Sequence, residues 1–105
     1  MKKYVIDFRE VQYYLEVHKT IKKALDFPDY YGENWDAFWD CITDMIGCEP
    51  MCISIIGLDN IERRFKDAAK MLIDILREAK HWCDDMFSDI TVIEVVDGDR
   101  RVEIK

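Results

Sequence analysis

Hydrophobic positions along this chain fall into two spacings, and the switches between them mark out its elements. Lys3-Tyr4-Val5-Ile6-Asp7-Phe8 is short and rich in β-branched and aromatic residues, which predicts a first strand. Val11, Tyr14, Leu15, His18, Ile21 and Leu25 then recur at steps of three and four, predicting a helix from about Val11 to Leu25 with its apolar side inward, stopped by Pro28. His18 lies on that side and is expected to be a packed, hydrogen-bonded histidine rather than a catalytic one. Asn34 is placed to cap a second helix that reaches Met45 or Ile46, with Gly47 ending it. Met51-Cys52-Ile53-Ser54-Ile55-Ile56 reads as a buried central strand.

Asp59 opens a short third helix to about Lys66. A longer one follows from about Asp67 to Trp82, with Ala68, Ala69, Leu72, Ile75, Leu76, Ala79 and Cys83 as its inward stripe. Ile90 to Val96 predicts the third strand. After the turn signal Asp97-Gly98-Asp99, the alternation up to Lys105 either folds back as an antiparallel edge strand or trails as a tail. The order βααβααβ predicts a small α/β domain over residues 1–96, its parallel sheet packed by helices, with 97–105 as a C-terminal extension.

At 105 residues, 50% hydrophobic and 35% charged, the chain can bury one sizeable core. No stretch approaches the roughly 18 apolar residues of a membrane span. Asp7, Arg9 and Glu10 interrupt what would be the apolar part of a signal peptide, so the expected compartment is the cytoplasm. Cys41, Cys48, Cys52 and Cys83 are then expected to be reduced and to pack as small apolar residues. Cys48 and Cys52 have three residues between them rather than the two of common zinc knuckles, so neither a metal nor a cofactor is expected.

Charge changes the picture more. Between Lys23 and Arg63 there is no Lys or Arg, yet that window holds nine carboxylates, from Asp26 to Glu62. The net charge is −7, so the rest of the chain amounts to +2. Such acidity argues against direct contact with nucleic acid, whose phosphates need basic residues. Lys19, Lys22, Lys23 and Arg63-Arg64 read as a solvated face.

On a helical wheel of about 100° per residue, Phe38, Cys41, Ile42 and Met45 face inward. Asp36, Asp40, Thr43 and Asp44 face out, with Trp39 on one border and Trp35 on the other. Asp36 interacts well with the helix N-terminus. Asp40 and Asp44 extend it as a like-charge ladder that costs about 0.2–0.5 kcal/mol per pair. A ladder of one sign, with aromatics on its borders, reads as a docking surface for a basic partner. Asp36 and Asp40 are one turn apart, but no histidine, serine motif, phosphate loop or metal set accompanies them, so catalysis is not expected.

The run from Phe27 to Thr43, Phe-Pro-Asp-Tyr-Tyr-Gly-Glu-Asn-Trp-Asp-Ala-Phe-Trp-Asp-Cys-Ile-Thr, resembles the signature of the barstar family, inhibitors of the ribonuclease barnase. The likeness extends upstream to His18–Leu25 and downstream to Leu76-Arg77-Glu78-Ala79-Lys80, covering roughly residues 3–96 in element order. It implies three parallel strands with four helices, and a second helix and preceding loop that plug the active site of a basic, barnase-like ribonuclease. Carried over by position, Tyr30 and Asn34 contact the enzyme from the loop. Asp36 and Asp40 pair with its catalytic cations, Asp40 standing where a substrate phosphate would lie. Trp39 and Thr43 pack or hydrogen-bond beside it, and Glu78 adds a second acidic contact.

This chain departs from the family pattern at several places. Trp35 stands for the usual leucine, and Asp44-Met45 for a glycine and an aromatic at the edge of the contact surface. The connection Cys83–Asp89 is longer, and the residues after Val96 are additional. The function implied is an immunity-type ribonuclease inhibitor. The alternative is a non-inhibitory binding module of the same fold that recognises another basic protein.

Overall fold

The computed structural model describes residues 2–29, 31–46, 50–87 and 91–104, with the backbone alone over 83–87. Three strands, β1 (Lys2–Asp7), β2 (Met51–Ile56) and β3 (Thr91–Asp97), lie side by side in that order and are all parallel. β4 (Arg100–Ile104) returns antiparallel along β3 through the Gly98-Asp99 turn, where Gly98 has φ of 61°. Of the two outcomes open for the C-terminal residues, the edge strand is therefore the one that forms. The described residues also form four helices: α1 (Tyr14–Leu25), α2 (Trp35–Met45), α3 (Leu58–Arg64) and α4 (Lys66–Phe87). The architecture is α/β, as the element order implied. No helix of the described residues is long and apolar enough to cross a membrane.

Side chains alternate across the sheet, so its register decides what each face carries. The rows Tyr4–Ile53–Ile93–Ile104 and Ile6–Ile55–Val95 belong to the apolar core, joined there by Val17 and Ile21 of α1, Phe38 and Ile42 of α2, and Leu72 and Leu76 of α4. The intervening row Val5–Ser54–Glu94–Glu103 is mostly polar. In it, Ser54 donates to Glu94 at 2.7 Å and Arg101 pairs with the same carboxylate.

Helix boundaries differ from the periodicity in instructive ways. α1 begins at Tyr14, not Val11; Val11 is buried, but in a turn closed by its N–H to the Phe8 carbonyl. Glu16 starts the helix by accepting from the N–H groups of Gln12 and Tyr13, at 3.0 and 2.9 Å. At the other end the helix stops at Leu25 as predicted, although it is Asp26, left-handed at φ 55°, that ends it before Pro28 is reached. Tyr14 and Leu15 are 45% and 72% exposed, so neither belongs to the inward stripe.

α3 starts at Leu58, because Gly57 rather than Asp59 caps it. Gly57 sits at φ 77°, and a β-carbon there would lie 2.6 Å from the Arg9 backbone nitrogen, so only glycine fits. α4 runs on to Phe87 instead of stopping near Trp82, so most of the stretch expected as a connection is helix; it contains no glycine or proline to break it. Ile75 on α4 is only half-buried, and the side chain of Cys83 lies outside the described residues. Gly47 and Ile90 also lie outside them.

Asn60 ties these parts together. Its buried amide donates to the Phe8 and Val11 carbonyls at 2.8 and 2.9 Å and accepts from Arg64 Nε at 3.0 Å, locking the β1–α1 connection onto α3.

Candidate partner-binding face

α2 is anchored by Phe38 and Ile42, both fully buried, which fixes what its other side presents. Its start is set by Asn34, as expected. The Asn34 side-chain oxygen accepts from the Ala37 N–H at 2.8 Å, while its amide donates to the Gly32 carbonyl at 3.2 Å. Asn34 is thus first a structural cap, with one N–H and one lone pair left for a partner. Glu33 reaches this corner at φ 52°, a left-handed position next to the exposed Gly32.

Asp36 and Asp40 are exposed on the outer side of α2. Among the described residues no lysine, arginine or histidine lies within ion-pair distance of either. Trp39 is half-buried between them and the core, and Trp35 is half-buried at the first helical position. Thr43 donates its hydroxyl proton back to the Trp39 carbonyl at 2.7 Å, with Asp40 O at 3.2 Å, so toward a partner its oxygen can act only as an acceptor. Such an acceptor beside carboxylates suits a lysine or arginine. Asp44 is exposed one turn further on. Glu78 is exposed on α4, the helix packed against α2. Tyr30 lies outside the described residues.

Nearby acids are treated differently. Lys19 pairs with Glu33 at 3.3 Å and Lys22 with Asp29 at 3.9 Å. Two of the residues expected as a solvated face, Lys19 and Lys22, therefore reach the loop before α2, while Lys23, Arg63 and Arg64 are exposed, and the acidic window is partly neutralised in space although not in sequence. Lys19 and Lys22 follow His18 on the same side of α1, but which acids they meet is set by the path of the loop. On α2 itself, Asp36 and Asp40 keep their charge without a described cation beside them.

An aromatic cluster supports this corner from beneath. His18, 3% exposed, hydrogen-bonds through Nδ1 to the Tyr31 hydroxyl at 2.7 Å, and Trp35 lies over its ring at 4.4 Å between centroids. Burial holds the His18 pKa below its ordinary value, against the opposing pull of the Glu33 charge. Burial pushes the Tyr31 hydroxyl well above its own, helped by Cys41 and Glu33. The bond is accordingly assigned as Tyr31 O–H donating to a neutral imidazole. Trp35 also meets Phe38 edge-on at 5.8 Å, and Phe27 links Tyr31 to Phe38. The bulky residue at position 35 is thus seated on His18 rather than loose on the rim.

Cys41 and Cys52 are free thiols; Cys48 and the side chain of Cys83 lie outside the described residues. Burial, followed by the Asp44 and Asp40 charges, raises the Cys41 pKa and keeps it protonated, which makes it a poor nucleophile. Among the described residues no group of three or more His, Cys, Asp or Glu is arranged to hold a metal ion.

Comparison with known proteins agrees with the geometry at the level of family. The family model described as Barstar (barnase inhibitor) matches residues 1–94, which leaves β4 beyond the matched part. A protein of Bacillus subtilis (strain 168), "Putative ribonuclease inhibitor YrdF", is 32% identical over 90 residues, an alignment spanning 86% of this chain and 98% of that protein.

Proposed function

This chain belongs to the barstar family, and from that premise we propose that it inhibits a basic ribonuclease by presenting α2 to the enzyme's phosphate-binding site. Asp36 and Asp40 take the places of RNA phosphates. Trp35, Trp39 and Thr43 pack or accept hydrogen bonds beside them, Asp44 and Glu78 extend the acidic contact, and Tyr30 and Asn34 touch the enzyme from the loop. The observation that carries this reading is the exposure of Asp36 and Asp40 on an anchored helix with no described cation beside them. A ribonuclease site gathers cations to hold phosphate, and carboxylates on a rigid helix satisfy those cations without offering a bond to cleave. The protein would act in the cytoplasm of the cell that makes it, as an immunity partner to a secreted or contact-delivered ribonuclease.

The test is a titration of RNA cleavage by barnase, and by other basic bacterial ribonucleases, with the parent protein and with Asp40→Ala. Losing Asp40 leaves enzyme cations buried and unpaired. The expected loss is about 2–5 kcal/mol, a range for buried charge pairs drawn in part from the family's own type complex. Equal inhibition by parent and variant would refute phosphate mimicry. Binding without suppression of cleavage would instead mark a non-inhibitory module.

A further inference from the structure

Three contacts between α1 and the segment before α2 run in a consistent direction. Lys22 meets Asp29, Lys19 meets Glu33, and His18 meets Trp35. As the chain advances from Asp29 to Trp35, its contacts step back along α1 towards that helix's N-terminus. Lys22, Lys19 and His18 share one side of α1, and at about 100° per residue that side continues into Leu15 and Tyr14. His18, one turn into α1, therefore stands between Tyr14 at the start of its own helix and Trp35 at the start of α2.

That turn is unusual for a surface helix. Leu15 is 72% exposed and Tyr14 45%, and Tyr13 beside them is also exposed. A single exposed apolar residue means little, but a contiguous apolar group rimmed by polar residues marks an interaction site. The Tyr14 ring is 6.4 Å from His18, edge-on, and His18 is 4.4 Å from Trp35, so an aromatic path joins Tyr14 to the acidic helix.

We propose that Tyr14 and Leu15, together with Trp35, form an apolar flank of the partner-binding face, covered in the complex by the rim of the ribonuclease that borders its cationic site. This rests on the proposed function and extends its footprint from α2 and the loop onto α1. The complementary rim is one of side chains with apolar stems and cationic ends, an arginine or lysine lying across the Tyr14 or Trp35 ring. The flank is a determinant of which ribonuclease is held, because apolar fit discriminates between rims that share a common phosphate site.

Stopped-flow kinetics with barnase, or with whichever basic bacterial ribonuclease the protein inhibits in the cleavage titration, test this, using the whole protein and the variants Leu15→Ser, Tyr14→Ser and Asp40→Ala. Leu15→Ser and Tyr14→Ser together are expected to raise the dissociation rate roughly tenfold while leaving the association rate and its salt dependence unchanged. Asp40→Ala is expected to flatten the salt dependence. Tyr14 also packs edge-on against Phe65 at 5.7 Å, so its substitution disturbs packing; Leu15→Ser alone removes little internal contact and serves as the fold-safe variant. Weakening by Asp40→Ala with no change beyond about twofold from Leu15→Ser and Tyr14→Ser would overturn the flank but not the inhibitor reading. No effect of Asp40→Ala, or no binding by the parent to barnase or to any of the other basic ribonucleases of the cleavage titration, would bring down both. A concentration-dependent dimer of the free protein that Leu15→Ser abolishes would also overturn the flank, by assigning it a second copy of this chain.

Discussion

His18 illustrates how one buried side chain sets the geometry of a binding corner. Tyr14 of its own helix, Tyr31 and Glu33 of the loop, and Trp35 of α2 all face it, and of these only Glu33 is charged, itself paired with Lys19. Burial dominates over that carboxylate, so the folded pKa lies below the ordinary value of 6.5. The unfolded chain then takes up the proton first as pH falls, and protonation favours unfolding. Full stability is expected above about pH 6.5, with loss as pH drops from there through the depressed folded value. Urea midpoints measured between pH 8 and pH 5 check this, and His18→Gln should flatten that part of the profile. A variant profile as steep as the parent's would assign the effect to another group. Tryptophan emission recorded alongside, with Trp39 and Trp82 replaced by Phe, reports whether Trp35 leaves the His18 ring in the same transition.

Single elements divide into those legible from residue spacing and those set by distant packing. β2, the Asn34 cap of α2 and the inward pair Phe38 and Ile42 follow from period and cap chemistry, since both act within a few residues. The end of α1 at Leu25 was legible too, but its cause was not, because a left-handed Asp26 gives no composition signal that outweighs Pro28 two residues later. Leu15 is a different case: it satisfies the steps of three and four with His18 and Val11, yet the wheel puts it between Lys22 and Lys19, off the stripe of Val17, His18, Ile21 and Leu25. Asp36 and Asp40 were readable as an outward pair, whereas the Lys19–Glu33 and Lys22–Asp29 pairs depend on the path of an irregular loop. β4 was open between strand and tail because Ile104 alone carries its core contact. That makes a sharp expectation at this scale. Ile104 is 7% exposed and completes the Tyr4–Ile53–Ile93 row, so Ile104→Ala should lower stability by about 2 kcal/mol, the lower end for such truncations because the strand is an edge. Inhibition should be unchanged, since β4 takes no part in the face built by α2. Denaturant titration of the variant beside a cleavage assay separates the two, and a stability within error of the parent would mean that β4 hangs on the sheet without supporting it.

Across the whole molecule the charge is not merely negative but divided, −9 in the window between Lys23 and Arg63 against +2 elsewhere. Lys19 and Lys22 lie against Glu33 and Asp29, which weakens the negative field over the loop while that of α2 stands. The like-charge ladder on α2 costs the fold a few tenths of a kcal/mol per pair, a cost that a surface serving only solubility would avoid with interspersed lysines. A field of this shape acts at distances where contacts do not yet exist, so its effect belongs to encounter rather than to residence. With a basic ribonuclease, association is expected near about 10⁸ M⁻¹s⁻¹ at low salt and to fall by one to three orders of magnitude as the Debye length shrinks from about 30 Å at 0.01 M to about 3 Å at 1 M. Dissociation, governed by buried contacts that salt screens poorly, should change far less over the same range. Stopped-flow mixing at several ionic strengths resolves the two rates. An association rate indifferent to salt would leave the ladder on α2 without the long-range role assigned to it, even if Asp40 proved indispensable once the complex had formed.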